Sequence, residues 1–489
     1  MTGKLTLMTG PANKKKKRKQ RKLNFRTFLE ESSAHGLKHI VNKKECFLHR
    51  LAWTWFCMMT MGLSIYFIYR VYVQWQNSPL IVAFGEQLIH ISQISFPAIT
   101  ICNINQVSSR KLDFFMEANK RINGPIIDKR IWSKIFTTVL NMDVAIKQKD
   151  YSLTLHNILL LNNMTVEDII EKAQTVVPSC NEFLLHCQWK SSVLPCEKLF
   201  NEYFTKYGLC CVFNSAFYEE NSNGSFKAEN ASRPGIDNGL SLILDSNLDD
   251  YFGATEDCNG FKFFISHPWD PVSSSRSQIL SPGKEALASL NSVVVQTRQR
   301  VSDAGYGPDE MRCYFDYFIL KHVRVYSVPS CLLECTLEKT QACGCRPFTV
   351  PIDNGYPVCN LSSYPCVLEK FRLIQEDREQ CKCMPNCDDL TYQTTLTYSS
   401  FPLSSSSSIL ENGISNGMKH KINTSETHLR ENLAKLTVFF NHDYVDTRWR
   451  DLRFGWQDFI ASCGGLLGFA SGISIISCIE LLFFCLSCK

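Results

Sequence analysis

Between Phe459 and Ile479 the chain carries no charged side chain, yet the stretch is full of groups able to coordinate an ion. Gly464, Gly465, Gly468 and Gly472 expose backbone, Ser471, Ser474 and Ser477 add hydroxyls, and Glu480 follows as a lone carboxylate. Twenty-one uncharged residues suffice for a helix to cross the roughly 30 Å hydrocarbon core of a bilayer. Gly464, Gly468 and Gly472 recur every four residues, so a continuous helix would carry them on one face, where small residues let backbones approach closely. The same residues suit a helix that breaks near Gly472 and turns carbonyls toward a water-filled path, since irregular backbone at membrane depth survives only along a cavity or buried in protein. An intramembrane carboxylate is costly and commonly faces such a path, which favours the broken helix, while a glutamate reaching the headgroups is the plainer reading. Spacing alone leaves both arrangements open.

The second group with chemistry to offer is sulfur. Ten cysteines fall within the 75 residues Cys313–Cys387, as Cys313, CLLEC (Cys331, Cys335), CGCRPF (Cys343, Cys345), Cys359, Cys366 and CKCMPNC (Cys381, Cys383, Cys387). Structural zinc sites favour C-x2-C pairs, and the C-x-C and C-x3-C spacings here point instead to disulfides. Twenty-three cysteines in 489 residues, seventeen of them between Cys102 and Cys387, fit an oxidising compartment. A nested ladder, early cysteines joined to late ones, would staple a pair of helices; spacing does not fix its connectivity. No metal site and no cofactor are expected.

These groups need elements to hold them. A second uncharged run, Leu51 to Tyr69, spans a membrane with its flank to Val73, and Trp53, Trp55, Tyr69, Tyr72 and Trp75 near its ends suit the interfaces. It starts too deep and is too long for a signal peptide. Residues 1–50 hold fourteen Lys or Arg against three acidic residues, including KKKKRK at Lys14–Lys19, which places the N-terminus in the cytosol. The expected organisation is a basic cytosolic arm (1–50), a first transmembrane helix (51–73), an extracellular cysteine-rich domain (74–457), a second transmembrane helix (458–485) and a cytosolic tail (486–489). Sequons at Asn163, Asn223, Asn230, Asn360 and Asn423 all fall between the spans. Within that domain, Ser95–Asn103, Gly239–Leu244, Phe261–Ile265, Val293–Val301 and Leu436–Phe440 read as strands, and Ile126–Leu140 as an amphipathic helix. Ser404–Ser408 reads as a flexible loop. No phosphate loop, HExxH motif or nucleophile elbow is present, and His267 beside Pro268 reads as structural, so an enzyme is not expected.

Taken in order, His35-Gly36, FPAITICN, YGLCCVFN (Tyr207–Asn214), the CLLEC…CGCRPF…CKCMPNC run and GGLLGFASGIS resemble the epithelial sodium channel/degenerin/acid-sensing family, most of all its insect pickpocket branch. The resemblance covers nearly the whole chain. It implies a plasma-membrane protein with two transmembrane helices enclosing a disulfide-rich α+β ectodomain, with a β-sheet palm and a helical thumb and finger. It further implies a homo- or hetero-trimer of related subunits around a cation pore that passes sodium, is blocked by amiloride and opens to a stimulus the sequence does not name. Gly472, Ile473 and Ser474 match the selectivity filter, and rings of carbonyls and hydroxyls can replace an ion's water shell. Ala461 matches the position where a bulky residue holds the pore open. Asp458 resembles an acidic ring at the outer mouth, although a carboxylate favoured by the helix dipole explains it equally. Gly464, Gly465 and Gly468 would pack three helices, Glu480 would face water below the filter, and His35-Gly36 would support the gate. The implied disulfides are Cys102–Cys210, Cys187–Cys196, Cys313–Cys387, Cys331–Cys383, Cys335–Cys381, Cys343–Cys366 and Cys345–Cys359. Cys180, Cys211 and Cys258 remain, with Cys211–Cys258 the expected pair. Ile473 departs from the family's usual alanine, which leaves sodium selectivity open. The alternative reading is a non-conducting auxiliary subunit or surface receptor that needs partners to form a pore.

Overall fold

The computed structural model describes residues 35–42, 44–77, 80–121, 127–141, 145, 166–223, 226–272, 277–303, 305–315, 320–352, 355–359, 363–402 and 426–487. The chain divides into two compact units, one made of Met1–Ile81 with Leu452–Lys489 and the other of Val82–Asp451. The basic run Lys14–Lys19, the sequons at Asn163, Asn360 and Asn423, and the Ser404–Ser408 loop lie outside the described residues.

The first unit begins with a short helix, α1 (Leu37–Val41), and a long one, α2 (Phe47–Asn77). Helix α2 exceeds the expected 51–73 at both ends and is long and apolar enough to cross a membrane. Its Trp55, Phe56, Met58, Met59, Leu63 and Ile65 all point outward, as lipid-facing side chains do.

The second unit carries, in chain order, strands β1 (Ala98–Asn103), β2 (Leu184–Trp189), β3 (Gly208–Phe213), β4 (Leu240–Asp245), β5 (Phe261–Ser266), β6 (Lys284–Thr297), β7 (Asp389–Ser400), β8 (Leu433–Phe440) and β9 (Tyr444–Leu452). The larger sheet is built on β6. Ala286, Ala288, Leu290 and Ser292 are buried at every second residue of that strand, the two-residue period of a half-buried strand. Strand β7 pairs antiparallel along one edge of β6, while β8 and then β9 pair parallel along the other, at Glu285–Leu290 and Val293–Thr297. Beyond β8 follow β4 and β2. The expected strand Val293–Val301 is only the tail of β6; the chain leaves the sheet after Thr297 and forms a helical turn at Gln299–Asp303. The smaller sheet holds β3, β1 and β5 side by side, all antiparallel.

The longest helices described in this unit are α3 (Ser109–Arg121), α4 (Lys129–Leu140), α5 (Val166–Val176), α6 (Val328–Thr340) and α7 (Tyr364–Glu376). Helix α4 buries Trp132, Ile135, Phe136, Val139 and Leu140, the i, i+3, i+4, i+7, i+8 face of an amphipathic helix, against α3 and α5. The Asp128 carboxylate accepts from the Arg130 N–H and starts the helix.

Eight disulfides lie among the described residues. Cys313–Cys387, Cys331–Cys383, Cys335–Cys381, Cys343–Cys366 and Cys345–Cys359 form a nested ladder around α6 and α7. Cys331 and Cys335, one helical turn apart, present adjacent rungs. Cys102–Cys210, Cys187–Cys196 and Cys180–Cys211 complete the set. The last corrects the expected Cys211–Cys258 pair. Cys210 and Cys211 are consecutive on β3, so their side chains leave opposite faces of the sheet. Cys210 joins the cluster of Cys102, Tyr207 and Phe264, whereas Cys211 joins that of Cys180, Phe183 and Phe213. Cys258 is a free thiol, and burial pushes its pKa up.

The chain ends in two helices of the first unit, α8 (Trp456–Ser471) and α9 (Ile475–Ser487). Together they have the length and composition of one span, but they are bent by 78° about the intervening residues. The span expected over 458–485 is thus a broken helix, the arrangement that Glu480 favours, with the break at Gly472.

Candidate functional site

The break is built from three local signals. Gly472 closes α8 in the left-handed region, with φ 65° and ψ 10°, and its N–H donates to the Gly468 carbonyl at 2.9 Å. Glycine adopts this conformation without the steric cost that a Cβ imposes. Ser474 then starts α9: its hydroxyl accepts from the Ser477 N–H, and the Ser477 hydroxyl accepts from the Ser474 N–H at 3.2 Å. This reciprocal cap satisfies donors left over at a helix start. Ile473 sits between the two helices as the connecting residue. Ser471 is buried and its hydroxyl donates back to the Leu467 carbonyl at 2.8 Å.

The turn at His35-Gly36 fills the notch. The His35 N–H donates to the Ser471 carbonyl at 2.8 Å, satisfying an acceptor freed by the end of α8. A Cβ on Gly472 would come within 2.8 Å of the His35 imidazole. Gly36, with φ 82°, starts α1, and a Cβ there would lie 2.6 Å from Cys57 Sγ on α2. Both glycines are thus required twice over, by backbone conformation and by close approach. The structure brings His35, Gly36 and Gly472 together, with Ile473 and Ser474 beside them.

The remaining residues are spread along α8 and α9. Asp458 lies in the first turn of α8, where its carboxylate accepts from the Gly455 N–H at 2.9 Å. Ala461 is exposed one turn further on. The upper part of α8 meets α2 through Phe459, stacked on Trp75 at 5.1 Å and edge-on to Tyr72 at 6.3 Å. A Cβ on Gly464, Gly465 or Gly468 would meet no atom within 4 Å, so this glycine face is open in the single chain. Glu480 is half-buried on α9. Of the two described sequons, Asn223 ends a short helix, and Asn230 is exposed with its amide donating to the Ser92 carbonyl at 3.0 Å.

A second feature involves His267. In the Val82–Asp451 unit, a cleft of about 870 Å³ is lined by Ser266, His267, Asp270, Asp389, Tyr392 and Arg450, among others. Burial draws the His267 pKa down to about 4 and pushes that of Asp270 up to about 7; a hydrogen bond with Ser327 opposes the Asp270 shift and nearby Asp389 adds to it. The Asp270 carboxyl ordinarily titrates near 3.8, so its folded pKa is raised. Its contribution to stability is complete below the unfolded value and is lost as pH rises through the folded one. Asp270→Asn, which cannot ionise, is expected to raise the melting temperature of the full chain more at pH 8 than at pH 5, where the loss has begun but is incomplete. Equal shifts at both pH values would show that the carboxyl is not desolvated.

Comparison with known proteins agrees with the motif order. The family model described as amiloride-sensitive sodium channel matches residues 28–484. Pickpocket protein 28 of Drosophila melanogaster is 25% identical over 500 residues, covering 94% of this chain and 77% of that one. The bile acid-sensitive ion channel of Mus musculus is 24% identical over 468 residues, covering 93% of this chain and 86% of that one. The sodium channel protein Nach of Drosophila melanogaster is 22% identical over 482 residues, covering 94% and 86%.

Proposed function

The chain belongs to the amiloride-sensitive sodium channel family, and from that premise we propose that it is one subunit of a stimulus-gated, amiloride-sensitive cation channel that passes sodium. Family members are plasma-membrane ion channels, not enzymes, assembled from several related subunits. In this reading three subunits surround a pore, both termini are cytosolic, and α2 and the α8–α9 pair are the two spans. Gly472, Ile473 and Ser474 form the filter. Asp458 gathers cations at the outer mouth, and the open glycine face of α8 packs against its copies. Glu480 faces the water below the filter, and the His35-Gly36 turn braces the break from the cytosolic side.

One observation carries the proposal. An apolar segment long enough to cross a membrane is interrupted at Gly472, and the interruption is held by a turn from the other end of the chain. Unwound backbone of this kind is tolerated at membrane depth where it lines a cavity, and its carbonyls and hydroxyls are the groups that can replace an ion's hydration shell.

The test is expression of Ala461→Val in a cell without related channels. The expected result is a standing sodium current, at least about tenfold over wild type, that amiloride blocks; a tenfold change in the open-to-closed ratio needs about 1.4 kcal/mol. Surface delivery of the assembled protein with no current, alone, would refute a self-sufficient channel. Current that appears only on co-expression with a related subunit would assign it the auxiliary role.

A further inference from the structure

We propose that His39, Glu45 and His49 form a binding site for a transition-metal ion of the zinc class, joining α1 to the base of α2. One ligand atom from each of these residues lies within 4.8 Å of the others. His39 comes from α1, Glu45 from the turn before α2, and His49 from the first turn of α2. Two imidazoles and a carboxylate are a donor set that zinc takes readily, with its fourth position left to water.

Trp53 holds both rings. Its indole N–H donates to His49 Nε2 at 2.9 Å, which orients that ring beside Glu45. The His39 ring stacks on Trp53 with centroids 4.8 Å apart and planes 16° from parallel. His49 Nε2 also lies 3.8 Å from Glu45 Oε2, so the carboxylate already leans toward the imidazole. The nearby Arg50 guanidinium donates to the Ile40 carbonyl at 2.8 Å, which ties α1 to α2 independently of any ion. A tetrahedral ion with bonds of about 2.0–2.1 Å wants its ligand atoms roughly 3.3 Å apart, so side-chain rotation of about an ångström closes the site. The indole bond to His49 gives way on binding, because it occupies the Nε2 lone pair, and an ion at Nδ1 would leave the ring's proton on Nε2. Because α1 follows directly on His35-Gly36, a bound ion would fix the turn that fills the notch at Gly472.

The experiment uses the full chain in detergent, stripped with chelator, with every thiol outside the disulfides alkylated, among the described residues Cys46, Cys57, Cys258, Cys463 and Cys478. Co2+ titration followed by visible absorption, then Zn2+ competition and equilibrium dialysis, gives stoichiometry and affinity. The expected result is one ion per chain for wild type, and loss of that ion in the His39→Gln/His49→Gln double variant. Trp53→Phe keeps an aromatic ring for His39 and removes the N–H that occupies the His49 lone pair, and is expected to leave binding at least as tight as in wild type. Glu45→Gln serves as a milder ligand test should the double variant not fold. No bound ion in wild type, or equal affinity in wild type and either the double variant or Glu45→Gln, would overturn the proposal.

Discussion

Gly472→Ala is expected to abolish current while leaving the protein able to reach the cell surface. The substitution meets two separate penalties. At φ 65° an L-residue sits in the left-handed region, at a cost of about 1–2 kcal/mol. The added Cβ also falls 2.8 Å from the His35 ring, so the imidazole or the α8 terminus must move, at about 1–3 kcal/mol for a crowded site. Either response disturbs the Ser471 carbonyl that His35 caps and the Ile473–Ser474 segment beside it. Gly468→Ala is the matched control. It lies inside α8 with no atom within 4 Å of its Cβ, and alanine favours a helix over glycine by about 1 kcal/mol. The chain's own fold therefore accepts it, and any loss of current there reports packing between copies. Adding His35→Ala to Gly472→Ala removes the clash but not the backbone strain, so partial recovery is expected. Wild-type current from Gly472→Ala, recorded with surface labelling, would place the break elsewhere.

Trp132→Ala is expected to cost about 3–5 kcal/mol and to cut surface delivery severely. Trp132 is 1% exposed, stacked on Phe136 at 5.7 Å and edge-on to Phe115 at 5.2 Å, in the core shared by α3, α4 and α5. Truncation removes the largest side chain of that core and leaves a cavity that three packed helices cannot fully collapse. Phe114→Ala is the comparison. Phe114 is 78% exposed, one residue from buried Phe115, and its loss should change stability by less than about 0.5 kcal/mol. Thermal unfolding of the full chain in detergent, with surface biotinylation in cells, separates the two. Similar effects for both would mean that α3 or α4 presents a different face to the shared core.

Some of this was written locally. The face of α4 follows from a 3.6-residue period, and an apolar residue on that face has nowhere to go but inward. Helix α2 follows from an uncharged run, and the chemistry of the cysteine-rich stretch from its cysteine spacing. Strand β7 left no such mark: in DLTYQTTLTYSS the side chains are mostly exposed, so no burial pattern was imprinted on the sequence. The first nine of the 14 residues of β6 carry a weak mark, because Ala286 and Ala288 fill buried positions with residues that have little strand signal.

The sequence by itself determined which residues are apolar, which can cross-link and which can bend, because those are properties of side chains and of their near neighbours. Tertiary structure decided which possibility was used. Cys211 had two candidate partners, and the alternation of a strand turned it toward Cys180 and away from the face that Cys210 shares with Cys102. The glycines at 464, 468 and 472 left open, by spacing, a continuous packing face or a break near Gly472. Gly472 alone carries the positive φ, because a turn distant in sequence caps the Ser471 carbonyl and places an imidazole where any Cβ would stand. A contact between the two ends of a chain has no local sequence period, so only the folded structure could assign it.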